Sequence, residues 1–294
     1  MSIFFQKLQG LGNDFILFDE TSLSLEFDQI EKSIPTLCDR RFGIGADGIL
    51  RFSVVQPNRS VRMIYYNADG SRAETCFNGL RCIALWACLG ANFPRGSQFT
   101  IHSDAGEVTA YVSPDENIAR VEVKAGRFFS ELIAGNKDEF VQRGLTFPFG
   151  SLTGTAVSMG NPHFVSWADE GDLAGLNDQI ISKGADVERS AHFPYGTNFE
   201  LARKIDEENI IMAVWERGVG QTLACGSGAT ATVCAGVRAG LLSSGVTVKV
   251  QMAGGTVEVN VQQDGKTALV TGPATHVFAG EIEIENFKPE ISRG

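Results

Sequence analysis

RMIYYNADGSRAETCFNG (62–79) and IMAVWERGVGQTLACGSG (211–228) lie over one another without a gap. The overlay pairs Met63 with Met212, Asn67 with Glu216, Cys76 with Cys225 and Gly79 with Gly228, at an offset of 149 residues. Working outward, LGNDFILFDE (11–20) matches MGNPHFVSWADE (159–170) after a one-residue slip, pairing Asn13 with Asn161 and Phe15 with Phe164. RFGIGADGIL (41–50) lies over HFPYGTNFEL (192–201), pairing Phe42 with Phe193 and Leu50 with Leu201, and DAGEVTAYV (104–112) follows GGTVEVNV (254–261). Blocks in one order at nearly one offset indicate two copies of one unit, about 1–125 and 152–275. The expected fold is α+β: two pseudo-symmetric domains, each a strand-rich unit wrapped round a central buried helix, with the active site in the cleft between them. One domain takes 1–127 plus 273–294 and carries Cys76; the other takes 128–272 and carries Cys225.

The local patterns fit that plan. VRMIYYN, FTIHS, EVTAYV, ARVEV, IIMAVWE, VTVKVQM and TVEVNV are short β-branched or alternating runs that read as strands. Asn78–Leu89 and Gly228–Leu242 are helical in length and rich in Ala, Leu and Cys, with one charge each, Arg81 and Arg238. A helix apolar nearly all round must be buried on all sides, so each is expected to run through the middle of its strands.

Bulk properties narrow the function. A net charge of −10 with no basic cluster argues against nucleic acid, whose phosphates need a Lys/Arg footprint. No apolar run is long enough for a membrane span, and MSIFFQKLQG lacks the apolar core of a secretory signal, so a cytoplasmic protein with a small-molecule partner is expected. The six cysteines, Cys38, Cys76, Cys82, Cys88, Cys225 and Cys234, form no C-x-x-C pair and no disulfide framework and are read as free thiols. For Cys38, Cys82, Cys88 and Cys234 core packing is the better reading.

Cys76 and Cys225 differ from these because each stands just before a predicted helix. A thiol at a helix N-terminus sees the positive end of the helix dipole and unpaired N–H groups, which favour thiolate. The turns Cys76-Phe77-Asn78-Gly79 and Cys225-Gly226-Ser227-Gly228 also offer N–H groups to a carboxylate. Inverting the α-carbon of an amino acid means removing a weakly acidic proton from one face and returning one to the other. One thiolate and one thiol, on opposite faces, supply both steps, and amide donors at the carboxylate stabilise the charge that develops.

GLGNDF, FGIGADG, NADGS-x4-C-x-NG, MGNPH and WERGVGQTLACGSGA resemble the diaminopimelate epimerase family over nearly the whole chain. The resemblance implies conversion of LL-2,6-diaminopimelate to the meso isomer, for lysine and peptidoglycan precursors, with no pyridoxal phosphate and no metal. It implies Cys76 and Cys225 as the proton-transfer pair and Asn13, Asn67, Phe77, Asn78, Asn161, Asn198, Glu216, Arg217, Gly226 and Ser227 as the substrate-binding set. His163 and Glu216 match polar neighbours of the thiols, and a homodimer is open to the chain. The charges suit such a substrate: Arg217 can take a distal carboxylate bidentately and Glu216 an ammonium. One departure stands out: the family has Gly after the first cysteine, and this chain has Phe77.

Rival readings carry less. Gly43-x-Gly45-x-x-Gly48 matches a dinucleotide fingerprint letter for letter, but IEKSIPTLCDRR before it reads as helix and turn rather than strand. His102, His192 and His276 have no ligand spacing, so structural roles are expected. A racemase of another amino acid on the same fold, or a binding relative without catalysis, are the alternatives; the first is kept open by Phe77, and the second is opposed by both cysteines being present.

Overall fold

The computed structural model describes residues 2–20, 27–73 and 76–283. The chain forms two compact units, the described parts of Met1–Val121 with Pro273–Gly294, and Glu122–Gly272. Residues 284–294, expected in the first domain, lie outside the described residues.

In the first unit β1 (Ser2–Gly10) runs antiparallel to both β18 (Thr275–Glu283) and β2 (Asn13–Asp19). β2 is parallel to β3 (Gly48–Gln56), which pairs antiparallel with β4 (Ser60–Asn67). β4 carries the short β5 (Arg72–Ala73) and is parallel to β6 (Gln98–Ser103), which turns back as β7 (Gly106–Val112), with β8 (Ile118–Lys124) following. Parallel neighbours need a crossover, and helices supply both. α1 (Phe27–Cys38) joins β2 to β3, and α2 (Phe77–Leu89) lies between β5 and β6.

The second unit repeats the plan. β9 (Arg143–Phe147), β10 (Gly150–Ser158) and β11 (Pro162–Trp167) are antiparallel, and β11 is parallel to β12 (Asn198–Lys204) across α3 (Leu173–Glu188). β13 (Asn209–Glu216) pairs with β12, carries β14 (Gly220–Gln221), and is parallel to β15 (Thr247–Met252) across α4 (Gly226–Arg238). β16 (Gly255–Val261) and β17 (Thr267–Pro273) complete the meander. Parallel pairing and helix fall at equivalent places in both units, giving a mixed α+β fold of two pseudo-symmetric halves.

The helices divide the work. α1 and α3 are amphipathic covers: Ile30, Ile34 and Leu37 pack with Ile16, Phe18 and Ile49, while Leu176, Ile180 and Val187 pack with Phe164, Phe199 and Leu201. Each such side chain fully withdrawn from water contributes roughly 1.5–3 kcal/mol. α2 and α4 are buried nearly all round, Leu80 to Leu85 and Gly228 to Gly236 without interruption, as their composition predicts. Both begin earlier than expected, at Phe77 and Gly226. α4 also stops at Arg238, short of Leu242, because Gly240 takes a left-handed φ of 72° that ends the helix. The paired Phe42 and Phe193 part company as well, 82% and 5% exposed.

Gly43, Gly45 and Gly48 lie between α1 and β3, a helix-to-strand turn, the reverse of a nucleotide-binding order. A Cβ on Gly43 would stand 2.0 Å from the Thr36 carbonyl oxygen, and one on Gly48 2.4 Å from that of Tyr66, so these glycines admit backbone rather than phosphate. Among the described residues no helix is long and apolar enough to cross a membrane.

Candidate active site

Cys76 and Cys225 are the N-caps of α2 and α4. Both have extended backbone, φ −146° and −125°, and each sulfur accepts the N–H three residues on, from Gly79 at 3.5 Å and Gly228 at 3.4 Å. The two copies therefore place their thiols identically with respect to the central helix, and the adjoining turns expose the first N–H groups of that helix. Their surroundings differ.

In the first unit the described residues bonded to the Cys76 thiol, directly or through its partner, include the amides of Asn13 and Asn78. Its Sγ donates to Asn13 Oδ1 at 3.7 Å, the same oxygen that accepts from Asn78 Nδ2 at 3.1 Å. Asn13 Nδ2 donates to Asp47 Oδ2 at 2.8 Å, which fixes the orientation of the amide. Asp47 belongs to a cluster with Asp14, Arg40 and Lys7. Burial alone would raise the Asp14 carboxyl, but hydrogen bonds from Arg40 and Lys7 hold it down at about 2. Phe77 and Asn78 are buried as the first turn of α2. Asn67, at the end of β4, donates instead to Ser71 Oγ at 2.9 Å and closes the turn into β5.

In the second unit the neighbours of Cys225 are carboxylates. Ser227 Oγ lies 3.4 Å from Cys225 Sγ, and the thiol donates to Glu216, which also accepts from the Thr222 hydroxyl. Glu200, on β12, is fully buried and takes His163 Nδ1 at 2.7 Å. His163 Nε2 lies 3.0 Å from Asn161 Oδ1. A Cβ on Gly228 would stand 2.7 Å from Glu200 Oε1, so the carboxylate abuts the start of α4 and only glycine fits there. Burial, then the charges of Glu216 and Glu200, push the Cys225 thiol well above its ordinary value, against the hydrogen bonds from Ser227 and Gly228. The expectation of a thiolate-favouring helix terminus is opposed at this cysteine by desolvation and two nearby carboxylates. Burial likewise pushes the Glu216 carboxyl up, with Thr222 and Cys225 opposing it.

Asn198 and Arg217 are joined to each other. Asn198 Oδ1 accepts from the Arg217 N–H at 2.9 Å, and its Nδ2 donates to the Pro162 carbonyl at 2.8 Å, so the buried amide ties three segments together. The exposed Arg217 guanidinium donates to the Tyr195 carbonyl at 2.8 Å and, among the described residues, forms no ion pair.

The remaining cysteines are structural. Burial pushes Cys38 and Cys82 up to about 12 and Cys234 to about 11 and raises Cys88. His192 and His276 bond Thr146 and Gln6, and His102 pairs with Glu107. Sequence reasoning missed Glu200, Thr222 and Asp47. Glu200 had a signal: the overlay of 41–50 on 192–201 sets it opposite Ile49, a charge in an otherwise apolar strand.

Comparison with known proteins follows the same two halves. The family profile described as Diaminopimelate epimerase matches residues 5–128 and 155–277. The chain is 37% identical to the diaminopimelate epimerase of Elusimicrobium minutum, over 94% of this chain and 98% of that one. It is 36% identical to the diaminopimelate epimerase of Halothermothrix orenii, over 97% and 99%. A crystal structure of a probable proline racemase from Agrobacterium radiobacter shares the fold, with a TM-score of 0.70 at 13% identity over 98% of this chain and 94% of that one. With both repeats matched and relatives aligned end to end, the chain belongs to the diaminopimelate epimerase family.

Proposed function

We propose that the chain interconverts LL- and meso-2,6-diaminopimelate by a two-base reaction in which Cys76 and Cys225 are the proton-transfer groups. The observation that carries it is the pair of N-cap cysteines, one per repeat, each held by the N–H three residues on. The α-carboxylate is bound by N–H groups of the helix starts, at Phe77-Asn78 and Gly226-Ser227, which also stabilise the charge that accumulates on it when the proton leaves. One sulfur takes the α-proton as thiolate while the other delivers its S–H proton to the opposite face. The product complex holds the same pair with roles exchanged, ready for the reverse direction.

The distal end of the substrate is a second zwitterion. Arg217, exposed and without a carboxylate partner among the described residues, suits its carboxylate, and the amides of Asn67 and Asn161 supply neutral donors and acceptors. Asn13, Asn78 and Asn198 act from behind, by holding Cys76 and the backbone of Arg217 in place. Glu216, hydrogen-bonded by the Cys225 thiol, is placed to exchange a proton with it.

The test is α-proton exchange in deuterated water, under reducing conditions, with LL- and meso-diaminopimelate and a panel of other amino acids. Exchange and inversion of diaminopimelate alone support the reading. Phe77 favours a second one, since a bulky side chain follows the first thiol where the family has glycine: exchange confined to a smaller amino acid would select a racemase on this fold.

A further inference from the structure

Asn13 is held at both ends of its amide. Its Nδ2 donates to Asp47 Oδ2 at 2.8 Å, and its Oδ1 accepts from Asn78 Nδ2 at 3.1 Å. An amide can be turned over with little change of shape, so its direction is set by what its partners can do. A carboxylate only accepts, so the Asp47 end of Asn13 must be the NH2. A guanidinium only donates, and the fully buried Arg81 gives one hydrogen bond to Asn78 Oδ1 at 2.8 Å, besides those to the Phe77 and Pro273 carbonyls at 3.4 Å each. That leaves Asn78 Nδ2 for Asn13. Two independent anchors therefore turn the same atom, Asn13 Oδ1, toward Cys76 Sγ at 3.7 Å. Asp47 is itself braced: Arg40 donates to its Oδ1 at 2.7 Å, and the Asp14 N–H to its Oδ2 at 3.1 Å.

We propose that Asp47 is a positioning residue for the proposed reaction: by pinning the Asn13 amide it keeps an acceptor oxygen on the Cys76 sulfur, which holds the thiol proton and keeps the thiolate basic. This rests on the reading of Cys76 as one of the two proton-transfer thiols. An amide oxygen accepts from an S–H and repels a thiolate, and an amide NH2 in its place would do the reverse. The α-proton of an amino acid is weakly acidic. A thiolate stabilised by the helix dipole and by the Gly79 N–H at 3.5 Å loses basicity as it gains stability, and the Asn13 oxygen opposes both. The charged side chains on the strands packed against α2 are engaged elsewhere or exposed: Lys7 with Asp14 and the Gly45 carbonyl, Arg51 with Glu20, Glu107 with His102 and His276 with Gln6, while Arg62, Glu281 and Glu283 are exposed. The device is confined to the first repeat. The overlay sets Asn198 opposite Asp47, and its amide is spent on the Pro162 carbonyl and the Arg217 N–H.

The experiment reads the thiol rather than turnover, so it separates this inference from the two-thiol reading, which Cys76→Ala and Cys225→Ala address through inversion. Alkylation of the folded chain by iodoacetamide is followed against pH by mass spectrometry of the Cys76 peptide, with Cys88 as internal reference. Asp47→Asn frees the Asn13 amide to turn its NH2 to the sulfur. It should lower the Cys76 midpoint by about half to one pH unit, with alkylation below the midpoint about three- to tenfold faster. Asn13→Ala removes the oxygen, leaves the charge of Asp47 in place and should lower the midpoint as well. The double variant separates positioning from charge: in the Asn13→Ala background Asp47→Asn has no amide to act through and should move the midpoint no further. An unchanged midpoint in either folded single variant overturns the proposal, and so does a fall from Asp47→Asn as large in that background as in the natural chain. Asn13→Ala carries the test alone if Asp47→Asn does not fold.

Discussion

Around their thiols the two repeats share a backbone and differ in charge. Among the described residues, α2 begins at a sulfur that shares the Asn13 amide oxygen with Asn78; α4 begins at a sulfur flanked by Glu216 and Glu200. The positive helix end is common to both, so it cannot decide which sulfur holds the proton. At Cys225 burial acts first, and then the side chains supplied by strands, Glu216 at the end of β13 and Glu200 on β12. A two-base reaction needs one loaded and one unloaded group, and duplication alone would yield two alike. In the proposed reaction, the burial and carboxylates that push the Cys225 thiol up suit it to the protonated role.

The largest expected effect comes from removing either side of the comparison. Cys76→Ala or Cys225→Ala should lower the inversion rate by more than about a thousandfold, within the range for loss of a general acid or base. Cys225→Ala should nonetheless retain slow exchange of the substrate α-proton with deuterated water, since the thiol it removes is the one that burial and two carboxylates disfavour as a base. Equal residual exchange in both variants, read by mass spectrometry of recovered substrate, would show that the two thiols are not differently charged.

Glu200→Gln sharpens the contrast from the other side. It removes one of two carboxylates raising Cys225, so the alkylation midpoint of Cys225 should fall. It also breaks the buried pair with His163, at a cost of about 3 kcal/mol in chemical denaturation, the low end for such pairs because Gln still accepts a hydrogen bond. A midpoint that does not move would mean that burial alone holds the Cys225 proton.

Stability at alkaline pH gives a smaller effect. Cys38, Cys82 and Cys234 have folded values of about 12, about 12 and about 11. Those values lie above the unfolded thiol, so the contribution of these residues is complete below about pH 9 and is lost as pH rises toward the folded values. Each thiol should contribute about 1.4 kcal/mol of loss per pH unit in that window. Denaturation midpoints at pH 8, 9 and 10 check it, and Cys38→Ala should flatten the slope while leaving the inversion rate intact. The smallest effect is expected from Phe77→Gly: if Phe77 acts only through its N–H, turnover should change by less than about tenfold, ~1.4 kcal/mol of barrier. A large gain in diaminopimelate turnover would mean that the ring occupies substrate space.

The fold was legible because duplication makes the sequence its own alignment. Cys76 and Cys225, their helices and the strands before them all follow from one overlay and from apolar periodicity. Asn13 and Asn78 were legible as residues, and their joint hold on one sulfur was not. What escaped depends on contacts between distant segments. Glu200 reaches the start of α4 from β12, and Asn13 reaches the Cys76 sulfur from β2. The ionisation of Cys225 escaped for the same reason: a helix start favours thiolate, and burial, joined by two carboxylates from β12 and β13, pushes the thiol the other way. The end of α4 was misjudged where Gly240 breaks an apolar run that composition alone would continue.

The pairing of β1 with β18 has a consequence for the order in which the molecule can be made. Ser2 to Gln9 is matched with Thr275 to Glu283, and Arg81 donates one of its three hydrogen bonds to the carbonyl of Pro273, two residues before that strand. A ribosome delivers β18 only after all of Glu122–Gly272, so the half begun first is closed later than the half begun second. During that interval one edge of β1 is open, the kind of edge that invites wrong strand partners. Pairing across so many residues is also slow to find. The surroundings of Arg81 are therefore completed at the close of synthesis, and a chain cut before Pro273 would carry the Cys76 helix without the last carbonyl that holds its buried cation.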